Sequence, residues 1–188
     1  MLDVKPTEQL IEEHNSILKM LGIIDHVCNI LESGEAVPYE HLDQIVEFIR
    51  LFADKIHHGK EEDLLFPAME AAGFPRESGP IGVMLVEHEQ GRDYVNRLDK
   101  AVTQYKNGEQ TAADALVRHA RNYVFMLTQH IDKENTILYP MADSSIPIVK
   151  QEALLDEFES VNKGVINTEK LTELQDNLNN LEEIYAKK

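Results

Sequence analysis

The sequence predicts an all-α protein: an up-down bundle of four long helices within residues 1–145, and a C-terminal extension of two helices within residues 146–188. Apolar residues recur at three- and four-residue steps along four long stretches, which is the period of a helix buried on one face. Gly and Pro are sparse, at 9 and 7 residues, which disfavours an all-β fold with many turns. The short connections between long stretches favour antiparallel neighbours.

Prolines, glycines and the apolar period set the expected limits of the four bundle helices. The helices are expected over about 6–33, 38–72, 80–107 and 111–143. Pro67 and Pro140 lie inside the second and fourth of them. Because a proline lacks the N–H donor and clashes with the preceding turn, we expect the second helix to kink or end early and the fourth to break in its last turn.

The last two helices are expected over about 147–162 and 168–186. In the second of them Leu171, Leu174, Leu178 and Leu181 form an a/d-type seam of about two heptads. Such a seam predicts packing either on the bundle or on a second subunit, so a homo-oligomer through this helix stays open.

The charge and the terminal sequence exclude several classes of partner. The formal net charge of −16 predicts repulsion from nucleic acid and from anionic membrane surfaces. Cys28 is the single cysteine and cannot form an internal disulfide. The polar, acidic N-terminus does not resemble a signal peptide, and no apolar run approaches the length of a membrane span. We therefore expect a cytoplasmic protein with no nucleic-acid or membrane partner.

The strongest signal is an internal repeat. Residues 57–67 read HHGKEEDLLFP and residues 130–140 read HIDKENTILYP, so that histidine, lysine, glutamate, leucine and proline coincide. A Glu-His pair lies at nearly the same distance upstream of each segment, ending at His14 and at His88. The repeat predicts two helical hairpins, each with one histidine on its first helix and a His-x-x-x-Glu on its second.

Six side chains of this repeat are candidate metal ligands, because all of them fall on otherwise apolar helix faces. They are His14, His57, Glu61, His88, His130 and Glu134. Burial of an ionised glutamate without a compensating positive charge costs on the order of several kcal/mol, and here two glutamates are buried. Four nitrogens and two carboxylates from four helices suit a pair of iron ions and leave coordination positions open for a small ligand. The competing interpretation, core histidines and surface ion pairs, does not explain the matched flanks.

The ligand pair of the second helix has a neighbouring alternative. His58 and Glu62 have the same spacing as His57 and Glu61. However, Lys60 aligns with the lysine of the other repeat only when His57, and not His58, is aligned with His130. We therefore expect His58 to lie about 100° around the helix, beside the ligands or exposed.

The motifs EEH, HxxKEExxLFP, EHExGR and HxxKExxxLYP resemble those of the hemerythrin-like (HHE cation-binding) family over about residues 5–145. The resemblance implies a non-haem di-iron centre, oxo- or hydroxo-bridged, with the same six ligands. It implies a protein that binds, senses or reacts with O2, NO or peroxide, or alternatively one that stores or donates iron for repair of iron–sulfur centres. Whether the protein is an enzyme stays open.

Arg92 departs from the pattern of the oxygen carriers, which have a histidine ligand at that position. Arginine cannot bind a metal, so the chain is more similar to the repair proteins and sensing domains of the family. Arg92 is expected to pair with an acidic residue or to project over the pocket. Tyr123 shares a helix face with His130 and either supplies a hydroxyl or fills the core, whereas His26, His41 and His119 lack a partner pattern.

Overall fold

A computed structural model describes residues 4–109 and 111–185 of the chain, except for the side chains of Lys163 and Val165. Every regular element in these residues is a helix, which confirms the all-α prediction. The helices are α1 (Pro6–Glu32), α2 (39–71), α3 (Gly79–Lys106), α4 (112–145), α5 (Ile148–Val165) and α6 (Thr168–Tyr185). None of these helices is long and apolar enough to span a membrane.

The four long helices surround a common interior. α1 packs against α2 and α4, and α3 packs against the same two helices. Their ends agree closely with the predicted limits, since Gly34 and Gly108 adopt φ of 81° and 75° directly after α1 and α3. Such positive φ values suit glycine and end a helix. The antiparallel, up-down direction of the helices stays a prediction.

The two internal prolines do not end or break their helices, because α2 and α4 continue through them, whereas a kink at Pro67 stays a prediction. Both helices widen to π-helical turns, Glu61–Leu65 and Glu134–Leu138, immediately before the proline-containing turn. The amide of Phe66 donates to the carbonyl of Glu61, and the amide of Tyr139 donates to that of Glu134. In such a π-helical turn the amide of residue i+5 donates to the carbonyl of residue i. The helix can therefore continue although the proline has no N–H to donate.

Two apolar clusters lie along the bundle, with the candidate ligands between them. On every long helix the ligand positions fall between a residue of one cluster and a residue of the other, as His14 falls between Leu10 and Ile17. Leu18 was expected on the buried face of α1 but is 37% exposed. The two clusters close both ends of the polar layer, so they exclude water from it.

The two C-terminal helices pack on the bundle of the same chain. Leu154 and Phe158 of α5 join the apolar cluster that contains Phe66 and Tyr139. The seam residues Leu174, Leu178 and Leu181 of α6 are 0–1% exposed and join the other cluster, against α1 and α2. The seam thus contacts the bundle within this chain, and a homo-oligomer through this helix stays a prediction.

Candidate metal centre

All six predicted ligands come together in one buried layer, each of the four long helices contributing at least one. The four histidines are 1% exposed and the two glutamates are 0% exposed. Their donor atoms form two groups, within each of which all atoms lie within 4.8 Å of one another. One group contains His14, His57 and Glu134, and the other contains Glu61, His88, His130 and also His58.

The two glutamates connect these groups. Glu134 has Oε2 3.2 Å from His14 Nε2 and Oε1 3.1 Å from His130 Nε2, so its two oxygens face different groups. Oε2 of Glu61 lies 3.7 Å from His57 Nε2 and 3.4 Å from His88 Nε2. A carboxylate that faces two sets of nitrogens has the arrangement that a bridge between two cations requires.

A glutamate from the preceding helix orients one histidine in each hairpin. Glu13 accepts a hydrogen bond from His57 Nδ1 at 3.0 Å and also binds Lys60, which is fully buried. Glu87 accepts from His130 Nδ1 at 2.9 Å and also binds Lys133. In each repeat the lysine therefore fixes the glutamate of the Glu-His pair, and this glutamate orients a candidate ligand through its Nδ1.

The residue after each candidate glutamate orients a histidine of the other hairpin. Glu62 accepts from His88 Nδ1 at 2.6 Å, and Asn135 Oδ1 lies 2.8 Å from His14 Nδ1. Glu62 and Asn135 occupy equivalent positions of the repeat, although their side chains differ. Since a carboxylate can only accept, Nδ1 of His88 carries the proton and its Nε2 faces the centre.

Arg92 forms ion pairs rather than projecting over the centre. Its guanidinium donates to Asp54 at 2.8 Å, to Glu62 at 2.6 Å and to Glu89 at 2.6 Å. Arg92 thereby fixes the carboxylate that in turn orients His88, so the expected acidic pairing is confirmed.

In the metal-free protein, protons compensate the buried carboxylates. Burial alone would lower the pKa of His130, but the charge of Glu134 raises it to about 9. Burial would likewise lower the pKa of His88, yet the nearby carboxylates of Glu134, Glu61 and Glu62 raise it well above its ordinary value. The same histidines hold the pKa of Glu134 well below its usual range against the effect of burial. A cation that entered the layer would displace these protons.

Tyr139 is a buried hydroxyl donor in the centre that the sequence did not reveal. It is 1% exposed, donates to Glu61 Oε1 at 2.8 Å and lies 3.3 Å from His14 Nε2. Burial and the charges of Glu61 and Glu134 raise the pKa of Tyr139 well above its ordinary value, so the phenol keeps its proton. Only its alignment with Phe66 in the repeat could have pointed to it.

His58 lies closer to the centre than expected. Its side chain is buried at 5% exposure and its ring stacks on His88, with centroids 3.9 Å apart. A cavity of about 180 Å³ lies beside it, lined also by Asp54, Arg92 and Tyr123. Of the two expected positions of His58, the structure has the one beside the ligands and not the exposed one.

The remaining residues in question lie outside the layer. Tyr123 is 2% exposed and belongs to the apolar core, with an edge on the cavity beside His58. His26 is exposed, and His41 interacts with the hydroxyl of Tyr185. Cys28 is fully buried among apolar side chains.

The donor set fits a cation. Among the described residues, four buried atoms of the layer have no hydrogen-bond partner: His57 Nε2, Glu61 Oε2 and both carboxylate oxygens of Glu134. Unpaired buried polar atoms cost about 1–3 kcal/mol each, and more when charged. Metal coordination would satisfy all four at once, and imidazole with carboxylate suits iron.

Comparison with known proteins gives the class of the chain. The hemerythrin HHE cation binding domain family matches residues 5–142. The chain therefore belongs to that family. No solved structure matches it.

Individual relatives are more distant. An uncharacterized protein of Mycobacterium tuberculosis (strain H37Rv) is 26% identical over 83% of this chain and 60% of its own length. The chain thus spans about 60% of the length of the first curated relatives that it matches. The iron-sulfur cluster repair protein YtfE of Salmonella schwarzengrund is 28% identical over 72% of this chain and 71% of its own length. The YtfE protein of Yersinia pestis (strain Pestoides F) is 36% identical over 46% of this chain and 40% of its own.

Proposed function

We propose that this protein holds two iron ions in the buried layer and binds, senses or reacts with a small ligand such as O2, NO or peroxide. The proposed ligands are His14, His57, Glu61, His88, His130 and Glu134. The observation that carries the proposal is the position of Glu134, whose two oxygens face histidines of different groups.

The side chains around the layer support this function. Glu13 and Glu87 keep a proton on the outer nitrogens of His57 and His130, so that Nε2 of each stays free to bind. When bound, a pair of irons supplies redox change between ferrous and ferric states. The apolar clusters keep water from the layer, and the cavity beside His58 has room for a diatomic molecule.

Iron loading tests the proposal. Protein treated with chelator is loaded anaerobically with ferrous iron, desalted and exposed to air, after which iron content and near-ultraviolet and visible absorption are measured. We expect two irons per chain and new absorption bands in the wild type, and loss of both in His57→Ala and Glu134→Ala. His26→Ala is the matched control because His26 is exposed and remote. A colourless wild-type protein without iron contradicts the proposal.

Iron donation is the second candidate function, and the similarity to YtfE proteins favours it. The iron-loaded protein is mixed with an apo iron–sulfur protein and sulfide, and cluster formation is followed by absorption. Faster cluster formation than with an equal concentration of free ferrous iron supports donation. An iron content that stays unchanged in the donor contradicts it.

The proposed location is the cytoplasm. This rests on the sequence, and fractionation of cells that express the full-length protein tests it.

A further inference from the structure

We infer that His58 is a fifth nitrogen ligand of the metal centre and shares an ion with His88 and His130. The inference rests on the proposed function, since it adds a residue to the same centre. It is independent of the repeat, because the position equivalent to His58 is Ile131.

The position of the ring is the first argument. A nitrogen of His58 lies within 4.8 Å of the donor atoms of Glu61, His88 and His130. The His58 ring is inclined by only 15° to that of His88, and its centroid lies 5.8 Å from that of His130. The donor atoms of the three imidazoles and of Glu61 are therefore close enough together for one ion to lie among them.

The outer contacts of His58 are the second argument. Its Nδ1 lies 3.4 Å from Asp54 Oδ1, the longest of five such contacts, whereas the other four histidines have Nδ1 within 3.0 Å of an acceptor. Asp54 is held by Arg92, which also holds Glu62, the acceptor of His88. One guanidinium thus orients the carboxylates behind two neighbouring imidazoles, and Nε2 of His58 is left for a ligand.

The cost of burial is the third argument. The other hairpin places Ile131 in the apolar core at this position, 3% exposed, so the bundle tolerates an aliphatic side chain here. A largely buried imidazole costs more free energy here than an aliphatic side chain unless its polar atoms have partners, and a bound ion would be such a partner.

Proton NMR of the cobalt(II)-substituted protein tests the assignment. Unpaired electrons of cobalt shift the Nδ1–H signal of each coordinated imidazole far from the other protons, and these signals disappear in D2O. We expect five such signals in the wild type and four in His58→Phe, which keeps the stacking on His88. His57→Ala serves as the positive control, because loss of a ligand that the centre requires should remove the shifted signals, and His119→Phe serves as the negative control, with five signals.

Four signals in both the wild type and His58→Phe would overturn the inference and leave the six-ligand centre intact. A wild-type protein that holds cobalt but shows no shifted signal would overturn the inference, whereas one that takes up neither cobalt nor iron would refute both proposals. If circular dichroism shows that His58→Phe does not fold, His58→Gln replaces it, since a glutamine has no imidazole N–H and must also show four signals. Retention of cobalt against a chelator should fall at least ~10-fold in the variant that folds.

Discussion

Replacement of Tyr139 by phenylalanine tests whether the buried layer is built as the structure has it. The change removes one hydroxyl and leaves the ring in place, as at the equivalent Phe66. Glu61 Oε1 then loses the donor at 2.8 Å, and its other oxygen already lacks a hydrogen bond among the described residues. Because Tyr139 and Glu61 are at most 1% exposed, water cannot replace the lost bond.

The expected loss in the metal-free protein follows from that bond. A hydrogen bond to a charged group contributes about 1.5–3 kcal/mol. In a domain of this size each kcal/mol lowers Tm by about 2–4 °C, so Tyr139→Phe should lower Tm by about 3–12 °C. In the iron-loaded protein the loss should be smaller, because a cation would compensate the charge of Glu61.

Thermal unfolding followed by circular dichroism, with and without chelator, measures both losses. Tyr94→Phe is the matched control, since its hydroxyl only contacts the surface side chain of Gln90 at 3.3 Å. The control should stay within about 0.5 kcal/mol of the wild type. If Tyr139→Phe matches the control in the metal-free protein, the bond between Tyr139 and Glu61 does not exist in solution and the reasoning fails.

Three further predictions concern packing, reactivity and pH. Leu178→Ala should cost about 2–5 kcal/mol in denaturant unfolding because Leu178 is fully buried, whereas exposed Glu183→Ala should cost almost nothing. Burial raises the pKa of Cys28 to about 12, so iodoacetamide at pH 8 should label it only after denaturation, as mass spectrometry can show. Glu134 raises the pKa of His130 to about 9, so the stability contributed by this pair is present below about pH 6.5 and is lost as the pH rises through 9. Calorimetry should therefore show Tm of the metal-free protein falling between pH 7 and 10 more steeply than Tm of the loaded protein.

Each of these has a clear contrary result. Equal unfolding of the Leu178 and Glu183 variants would mean that α6 does not pack on the bundle in solution. Rapid native labelling of Cys28 would mean that its surroundings open easily. Parallel pH curves of the two protein forms would mean that no cation replaces the protons of the layer.

The helices and the six clustered side chains could be predicted from the sequence because both depend on periodicity. A three- and four-residue apolar period sets the buried face, and the repeat selects His57 over its neighbour. The orienting residues Glu13 and Glu87 were present in the same repeat, but their role needed the distance to the opposite helix. Helical periodicity describes one helix and contains no information on which helix lies opposite.

The sequence left two positions open for His58, beside the ligands or exposed, because the prediction assumed an α-helix. Residues 49–58 instead form a π-helical stretch, in which each residue advances by a smaller angle than in an α-helix. A smaller advance per residue favours the same helix face for consecutive side chains, in agreement with the burial of both His57 and His58. The helices also continue past the two prolines for which an end or a break was considered, since π-helical turns that begin at Glu61 and Glu134 accommodate them.

Two positions at which the repeat differs make the halves of the centre unequal. His58 aligns with Ile131 in the repeat, and its imidazole joins the group of His88 and His130. Tyr139 aligns with Phe66, and its hydroxyl lies 3.3 Å from His14 Nε2. If His58 binds, the ion beside it has three imidazoles and the other has two, so the second ion keeps more positions open. A small ligand at those positions would find the Tyr139 proton within reach, and a ligand that accepts a hydrogen bond would be favoured over one that cannot. We therefore expect Tyr139→Phe to weaken the binding of such a ligand and His58→Phe to act mainly on metal retention.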